Sequence, residues 1–178
     1  MRERDSQRKK VYRAEEVLKP YAKPLKSVAD VEDFIEDVWS RKRIQDAFPF
    51  SVRNRSMPVV KDGRGTRIAR GGSSHINIPL WARDTRVVIH EMTHTITVRI
   101  SYDAPGHGWL FCQNLLIMTL HLMGRKAHDE LKASFKQHRV RYTKPRVGKP
   151  LSPERRAALV ATLAKAREAQ MAAKRRED

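Results

Sequence analysis

The sequence predicts an α+β fold, and three features of its apolar pattern lead to this class. Residues 31–39 repeat apolar side chains at helical spacing. Residues 57–78 contain three short β-prone runs separated by Gly and Asp, and residues 85–123 hold two long helix-compatible segments. Three strands form a stable sheet only when helices cover one of its faces. We therefore expect helices and a small sheet to share one core.

Two helices are expected before the sheet. Residues 6–18 place apolar side chains on one side and charges on the other, and Pro20 ends this segment. Ser27, with Asp30 three residues later, resembles a capping box that opens the second helix. The apolar stripe of the second helix consists of Val31, Phe34, Ile35, Val38 and Trp39. These side chains are expected in the core, and Pro49 closes the helical region.

The expected sheet consists of residues 57–61, 66–70 and 75–78. Asp62-Gly63 is typical of a hairpin turn, so the first two strands are predicted to pair with each other. The Gly-Gly-Ser run at residues 71–73 lacks the spacing and the Lys-Ser/Thr ending of a phosphate-binding loop. An ordinary turn is favoured there.

Two long helices follow the sheet. Asp84 resembles an N-cap for a helix over residues 85–100. After a short loop, residues 106–123 form a second and mostly buried helix, which Gly124 ends. A further short helix is expected at residues 128–138.

The C-terminal region differs in composition from the rest of the chain. Residues 139–153 hold three prolines and five basic side chains and are predicted to be a linker, after which Pro153 opens a surface helix. We therefore divide the chain into an α+β domain at residues 2–140 and a basic linker with an Ala-rich helical tail at residues 141–178.

The chain carries a net charge of +17, and residues 124–178 contribute sixteen basic against six acidic side chains. Such a basic end favours contact with nucleic acid or another polyanion, although a solvated tail has the same composition. Residues 144–150 resemble a minor-groove arm, with basic side chains around Gly and Pro. A DNA contact through the tail is therefore one hypothesis.

A soluble, cytoplasmic protein is expected from three further features. The longest apolar run, residues 115–123, is too short to span a membrane. The first residues are charged and lack the apolar stretch of a secretory signal. Cys112 is the single cysteine and cannot form an intrachain disulfide. We expect no membrane partner, and Cys112 is interpreted as a buried apolar residue.

A metal-binding motif, His-Glu-Met-Thr-His, lies in the middle of the predicted helix over residues 85–100. His90 and His94 are four residues apart and project from one helical face, so both imidazoles can reach one ion. Glu91 is placed to accept a proton from an activated water without being a ligand. Histidines that are merely solvated or hydrogen-bonded are the alternative.

A catalytic zinc ion usually has three protein ligands and one open position. The metzincin spacing fails, because Thr97 and Ile100 replace the expected Gly and third His. Glu130 lies on a later helix and is a poor ligand candidate. His107 follows His94 by thirteen residues, which lets the chain turn and return across the metal. His107 is therefore the preferred third ligand.

The motif and the later His-Gly-Trp-Leu-Phe run at residues 107–111 resemble the SprT-like zinc metalloproteases. The segment from Arg4 to Arg8, together with Val11-Tyr12, is closer to small actinobacterial and phage proteins described as metallohydrolases. The resemblance covers residues 2–140. It implies a zincin-like fold, Zn²⁺ held by His90, His94 and His107, and Glu91 as general base. It also implies that strand 75–78 flanks the cleft and could bind a peptide by β-addition.

The predicted function is zinc-dependent hydrolysis, with a peptide or protein as the substrate. Glu91 would take a proton from the attacking water and return it to the leaving nitrogen. Tyr102, in the loop between the ligand-bearing segments, is the candidate for stabilising the oxyanion, with Arg99 and His75 as alternatives. A nucleic-acid-associated protein with a structural or vestigial zinc site is the competing hypothesis.

Overall fold

The structure is a computed structural model that describes residues 5–145 and 152–174. The chain forms two compact units, one ending at Lys144 and the other beginning at Pro145. Helices and one small sheet make up the first unit, so the predicted α+β class is confirmed. Its helices are α1 (Arg8–Glu15), α2 (Val28–Ser40), α3 (Lys42–Ala47), α4 (Thr85–Ile100), α5 (Trp109–Leu122) and α6 (Arg125–Gln137). Its strands are β1 (Val59–Asp62), β2 (Arg70–Gly71) and β3 (His75–Ile78).

The sheet has the order β1-β3-β2, which contradicts the predicted pairing of the first two strands. Strand β1 runs parallel to β3, with Val59 opposite His75, whereas β2 runs antiparallel to β3. Gly63 forms a local turn instead of a hairpin, because it accepts a hydrogen bond from the Thr66 N–H. Its own N–H donates to the carbonyl of Ile78. The hairpin joins β2 and β3, where the Gly72 N–H donates to the His75 carbonyl at 2.8 Å.

The prediction that a peptide could pair with strand 75–78 by β-addition is also wrong, because this strand is not at an edge of the sheet. Strand β3 is the central strand and has a hydrogen-bonded neighbour on each side. Its backbone groups are therefore already paired. The edge strand next to α4 is β2, whose Gly71 packs against Glu91.

The N-terminal helices follow the predicted pattern, with different ends. The helix predicted over residues 6–18 is α-helical only to Glu15 and continues as a 3₁₀ helix over Glu16–Tyr21, which contains Pro20. The capping box of α2 is confirmed: Ser27 Oγ accepts the Asp30 N–H, and the Asp30 carboxylate accepts the Ser27 N–H. The core residues of α2 are Val31, Ile35, Val38 and Trp39, with Phe34 partly buried against them. A single π-helical turn, Pro49–Arg53, precedes the sheet.

Helix α4 is buried along most of its length and packs against α5. Its predicted range is confirmed, and Asp84 caps it by accepting the Val87 N–H at 2.8 Å. Helix α5 begins at Trp109, so the helix predicted from residue 106 starts three residues late and His107 precedes it. Gly124 has a φ of +92° and ends α5, as its sequence position predicts.

The second unit contains α7 (Pro153–Lys174), which begins at the predicted proline. The predicted linker over residues 139–153 lies partly outside the described residues, as does most of the proposed minor-groove arm. In the described ranges, no helix is both long enough and apolar enough to cross a membrane.

Candidate metal centre

Three histidine side chains converge at the junction of α4 and the loop before α5. His90 and His94 come from successive turns of α4, and His107 lies two residues before the first residue of α5. The Nε2 atom of His90 is 3.1 Å from that of His94 and 3.3 Å from that of His107. One ligand atom from each residue lies within 4.8 Å of the others, so the cluster can hold a metal ion. The sequence prediction of this set is therefore matched by its geometry.

Two carboxylates fix which nitrogens face each other. His90 Nδ1 is 2.8 Å from the buried carboxylate of Glu15, and His107 Nδ1 is 2.7 Å from that of Asp5. These contacts assign the proton of each neutral ring to Nδ1. The Nε2 atoms of His90 and His107 then present lone pairs to each other, and a cation between them removes that repulsion. Carboxylate, histidine and metal in this order are the usual arrangement of a metal site.

The spacing suits a tetrahedral ion. Two nitrogens that each lie 2.0–2.1 Å from a zinc ion at the tetrahedral angle are about 3.3 Å apart. The two Nε2 distances from His90 are 3.1 and 3.3 Å. Three imidazoles leave the fourth tetrahedral position for water or substrate.

Charge and burial act differently on the three imidazoles. Burial, together with the neighbouring imidazoles, holds the pKa of His94 well below its usual value, and burial also lowers the pKa of His107. Burial alone would lower the pKa of His90, but the carboxylates of Glu15 and Glu91 outweigh it and raise that pKa. His94 and His107 are therefore neutral at pH 7, as metal ligands must be.

Glu91 lies beside the histidine cluster with its side chain almost fully buried. One of its carboxylate oxygens accepts the Gly71 N–H at 2.5 Å. Burial raises the pKa of Glu91, while the neighbouring His90 and the Gly71 hydrogen bond oppose this shift. A carboxylate with a raised pKa is a better proton acceptor, which is what a general base requires.

Gly71 holds the edge strand β2 directly against α4. A Cβ atom at this position would lie 1.9 Å from the Glu91 carbonyl oxygen and 3.0 Å from the His94 Cβ. Only glycine permits this approach, and the approach lets the Gly71 N–H reach the Glu91 carboxylate. The strand position of Gly71 thus orients the predicted general base.

Gly71→Ala is expected to push β2 away from α4 and to lower the free energy of unfolding by about 1–3 kcal/mol. Urea unfolding measures the loss, and zinc titration measures the effect on the site. Gly72→Ala is the matched control, because its Cβ would meet nothing closer than the His75 carbonyl at 3.3 Å. Equal stability of the two variants would contradict the role of Gly71.

Two aromatic rings enclose the histidines. Phe111, in the first turn of α5, has its ring centroid 5.0, 4.4 and 5.0 Å from those of His90, His94 and His107. Tyr12 of α1 contacts two of them, with centroid distances of 5.4 Å to His90 and 5.0 Å to His107. Phe111 of α5 therefore packs against the histidine-bearing face of α4.

The N-terminal segment contributes residues that the sequence analysis did not assign to the site. Glu15, Asp5 and Tyr12 contact the histidines directly, and Gln7 donates to the His107 carbonyl at 2.7 Å. Asp5, Gln7 and Tyr12 lie within the segments compared with the small metallohydrolases, but that comparison assigned them no role at the site. Arg4, in the first of those segments, lies outside the described residues.

The three candidates for an oxyanion stabiliser have different positions. Tyr102 is 70% exposed and lines a cavity of about 560 Å³ that also contacts His94 and His75. Arg99 donates to the backbone carbonyls of Ser73 and Ser51, so its guanidinium supports neighbouring loops. These contacts do not favour a role for Arg99 at the metal.

Two further residues with reactive side chains, His121 and Cys112, lie on α5. His121 is outside the histidine cluster. Cys112 is fully buried, and burial raises the pKa of its thiol, so it is not poised as a nucleophile.

Comparison with known proteins identifies no relative of this chain. No protein-family model, no curated protein and no solved structure gives a significant match to this chain.

Proposed function

We propose that the protein is a zinc-dependent hydrolase with a zincin-like catalytic domain, acting on peptide or protein substrates. The convergence of the His90, His94 and His107 Nε2 atoms beside Glu91 carries this proposal. Three neutral imidazoles with one open position suit zinc better than magnesium or calcium, which prefer oxygen ligands. The SprT-like resemblance of the motif supports the same function.

The chain's own groups divide the reaction between them. A bound zinc ion would supply Lewis acidity that acidifies a water molecule and polarises a carbonyl. Glu91 accepts the proton of the attacking water and then delivers it to the leaving nitrogen. The Gly71 N–H keeps one Glu91 oxygen in place and leaves the other for the proton. Glu15 and Asp5 hold the imidazoles of His90 and His107 in their ligating orientation.

The oxyanion needs a hydrogen-bond donor, and two phenols are candidates. Tyr102 lies on the cavity that contacts His94, whereas the Tyr12 ring contacts both His90 and His107 and is 41% exposed. Burial raises the pKa of Tyr12, so its hydroxyl keeps its proton and can donate. We favour Tyr12 for this role because its ring contacts two of the proposed ligands.

Tyr12→Phe is expected to lower kcat by about 10²–10³-fold with little change in zinc content. Tyr102→Phe is the matched comparison and is expected to retain most of the activity. A larger loss in Tyr102→Phe than in Tyr12→Phe would return the role to Tyr102.

The direct test of the function is proteolysis by the full chain. Zinc-loaded protein is incubated with denatured casein, and new amino termini are counted. We expect cleavage that 1,10-phenanthroline stops and that added zinc restores. Cleavage that is insensitive to the chelator would contradict the proposal, as would zinc-loaded protein that cleaves neither casein nor a mixed peptide library.

Nucleic-acid binding by the tail is the second candidate function. Among the α7 residues whose exposure the structure describes, four exposed basic side chains stand against two exposed acidic ones. The basic residues are Arg155, Arg156, Lys165 and Arg167, and the acidic ones are Glu154 and Glu168. We expect duplex DNA binding that weakens steeply with salt and survives Glu91→Gln. Fluorescence anisotropy on the full chain and on a chain ending at Lys144 measures it; equal affinities would eliminate the tail.

A further inference from the structure

A second cavity, of about 290 Å³, opens beside the metal centre on the side of His90 and Glu91. It lies against α1, the segment before β2 and the first turn of α4. Its volume is near the lower end of the range for ligand pockets, which fits one side chain or one terminal residue of a substrate.

The cavity is lined by charged side chains of both signs, three carboxylates and three guanidinium groups. Its three carboxylates are already engaged: Glu15 with His90, Glu91 with the Gly71 N–H, and Glu16 with Lys19. Its three cations are Arg8, Arg67 and Arg86. Within residues 5–145 and 152–174, neither Arg8 nor Arg67 has an ion-pair partner, although Arg8 contacts the Tyr12 ring.

Arg86 is the best placed of the three arginines. It precedes His90 by four residues and therefore lies on the same face of α4, about 6 Å along the helix axis. Its side chain is only 21% exposed, and its buried Nε–H has no hydrogen-bond acceptor among the described residues. The nearest carboxylate, that of Asp84, is 4.0 Å away. A buried guanidinium with an unused N–H is suited to a two-point contact with a carboxylate.

The mouth of the cavity is apolar. Ile68 and Trp81 each line it, and each is 62% exposed. Large apolar side chains on a surface next to a catalytic cleft mark a place where a ligand is covered. The cavity thus combines an interior that contains the unsatisfied Nε–H of Arg86 with an apolar entrance.

We propose that this cavity is a specificity subsite that binds a carboxylate of the substrate through Arg86, with the apolar body of the same residue against Ile68 and Trp81. The inference rests on the proposed hydrolase function. It narrows the substrates to peptides that carry a carboxylate about 6 Å from the scissile bond, which is the separation of Arg86 and His90 along α4. The carboxylate can be a free C-terminus or an Asp or Glu side chain, because both offer Arg86 the same two oxygens.

The test uses two small probes on the zinc-loaded full chain. Benzylsuccinate offers one carboxylate to the metal and a second to Arg86, with a phenyl ring for the apolar mouth, whereas 3-phenylpropanoate has a single carboxylate. Calorimetry is expected to show tighter binding of benzylsuccinate to the wild type, and Arg86→Gln is expected to weaken it by about tenfold to a hundredfold. Equal affinities of the two probes for the wild type would overturn the subsite.

Matched variants separate Arg86 from a general loss of charge. Arg70→Gln removes a cation from the other cavity and is expected to leave benzylsuccinate binding unchanged. If Arg86→Gln fails to fold, Arg86→Lys replaces it; loss of the two-point contact should still weaken benzylsuccinate binding severalfold. Full retention of affinity in the folded variant would overturn the role of Arg86.

Peptide competition identifies the source of the carboxylate. Peptides with a free C-terminus are compared with their amides, and peptides with an internal Glu are compared with Gln versions. Displacement of benzylsuccinate by the free acid but not the amide supports a carboxypeptidase, and displacement by the internal Glu peptide supports cleavage next to an acidic side chain. Displacement by neither would overturn the proposal.

A final measurement distinguishes failure of the subsite from failure of the hydrolase function. The Arg86 Nε–Hε NMR signal is followed during addition of benzylsuccinate, with and without zinc. We expect it to shift in both cases, because the anion contacts Arg86 itself. Failure of the wild type to bind zinc would rule out the hydrolase function, whereas an unshifted Arg86 signal would rule out the subsite alone.

Discussion

His107→Ala is expected to reduce bound zinc from one ion per chain to a small fraction of that value. Catalytic zinc sites use three protein ligands, and this variant leaves only the two imidazoles of α4. The loss should not unfold the protein, because His107 precedes α5 and the apolar floor of the site is Phe111. Elemental mass spectrometry after dialysis measures the zinc content of both proteins.

Zinc should also stabilise the wild type and not the variant. Free zinc at about one hundred times its dissociation constant adds about 2.7 kcal/mol to the free energy of unfolding. Thermal unfolding with and without zinc therefore reports the same site by an independent measurement. His121→Ala is the matched control, because His121 is half-buried on α5 outside the histidine cluster. A well-folded wild type that takes up no metal after incubation with zinc would contradict the metal centre.

The sequence predicted the histidine cluster because the information about it is mostly local. Asp84 caps α4, and the four-residue spacing of His90 and His94 follows from helix geometry alone. The prediction that His107 lies near the other two histidines required only a short turn between two helices. The prediction that α5 begins at residue 106 was wrong, because the backbone of Gly108 is extended and the helix starts after it.

The carboxylates that contact His90 and His107 could not be predicted, because they come from distant parts of the chain. Glu15 precedes His90 by 75 residues, and Asp5 precedes His107 by 102. Nothing in a helical pattern indicates that one charged residue will face inward, as Glu15 does beside Ala14. Which α1 side chains reach the histidines depends on how that helix packs against the rest of the domain.

The sheet shows the same limit. Asp62-Gly63 has the composition of a hairpin turn, but the turn residue Gly63 is held against Ile78 and Pro79 at the far end of β3. Local turn preference therefore led to a predicted hairpin between the first two strands, whereas the hairpin in the structure joins β2 and β3. Gly71 gave no local signal of its function, because the contact that requires glycine there is with the backbone of Glu91 on α4.

Glu91→Gln is expected to lower turnover by about 10²–10⁴-fold while leaving the zinc content unchanged. The amide cannot accept the proton of the attacking water, yet its oxygen can still accept the Gly71 N–H. Strand β2 should therefore remain against α4. Zinc-loaded wild type and variant are compared for hydrolysis of the same peptide substrate, with zinc measured in each sample.

The stability of Glu91→Gln is expected to be retained or increased, in contrast to its turnover. Burial raises the pKa of Glu91, which means that its ionised form is less favourable in the folded than in the unfolded chain at neutral pH. The neutral amide removes that cost, so the metal-free variant should unfold at the same or a higher urea concentration than the wild type. Glu16→Gln is the matched control, because Glu16 lines the same cavity but pairs with Lys19. Loss of activity together with retained zinc and undiminished stability identifies a catalytic base, whereas wild-type turnover in Glu91→Gln would refute that role.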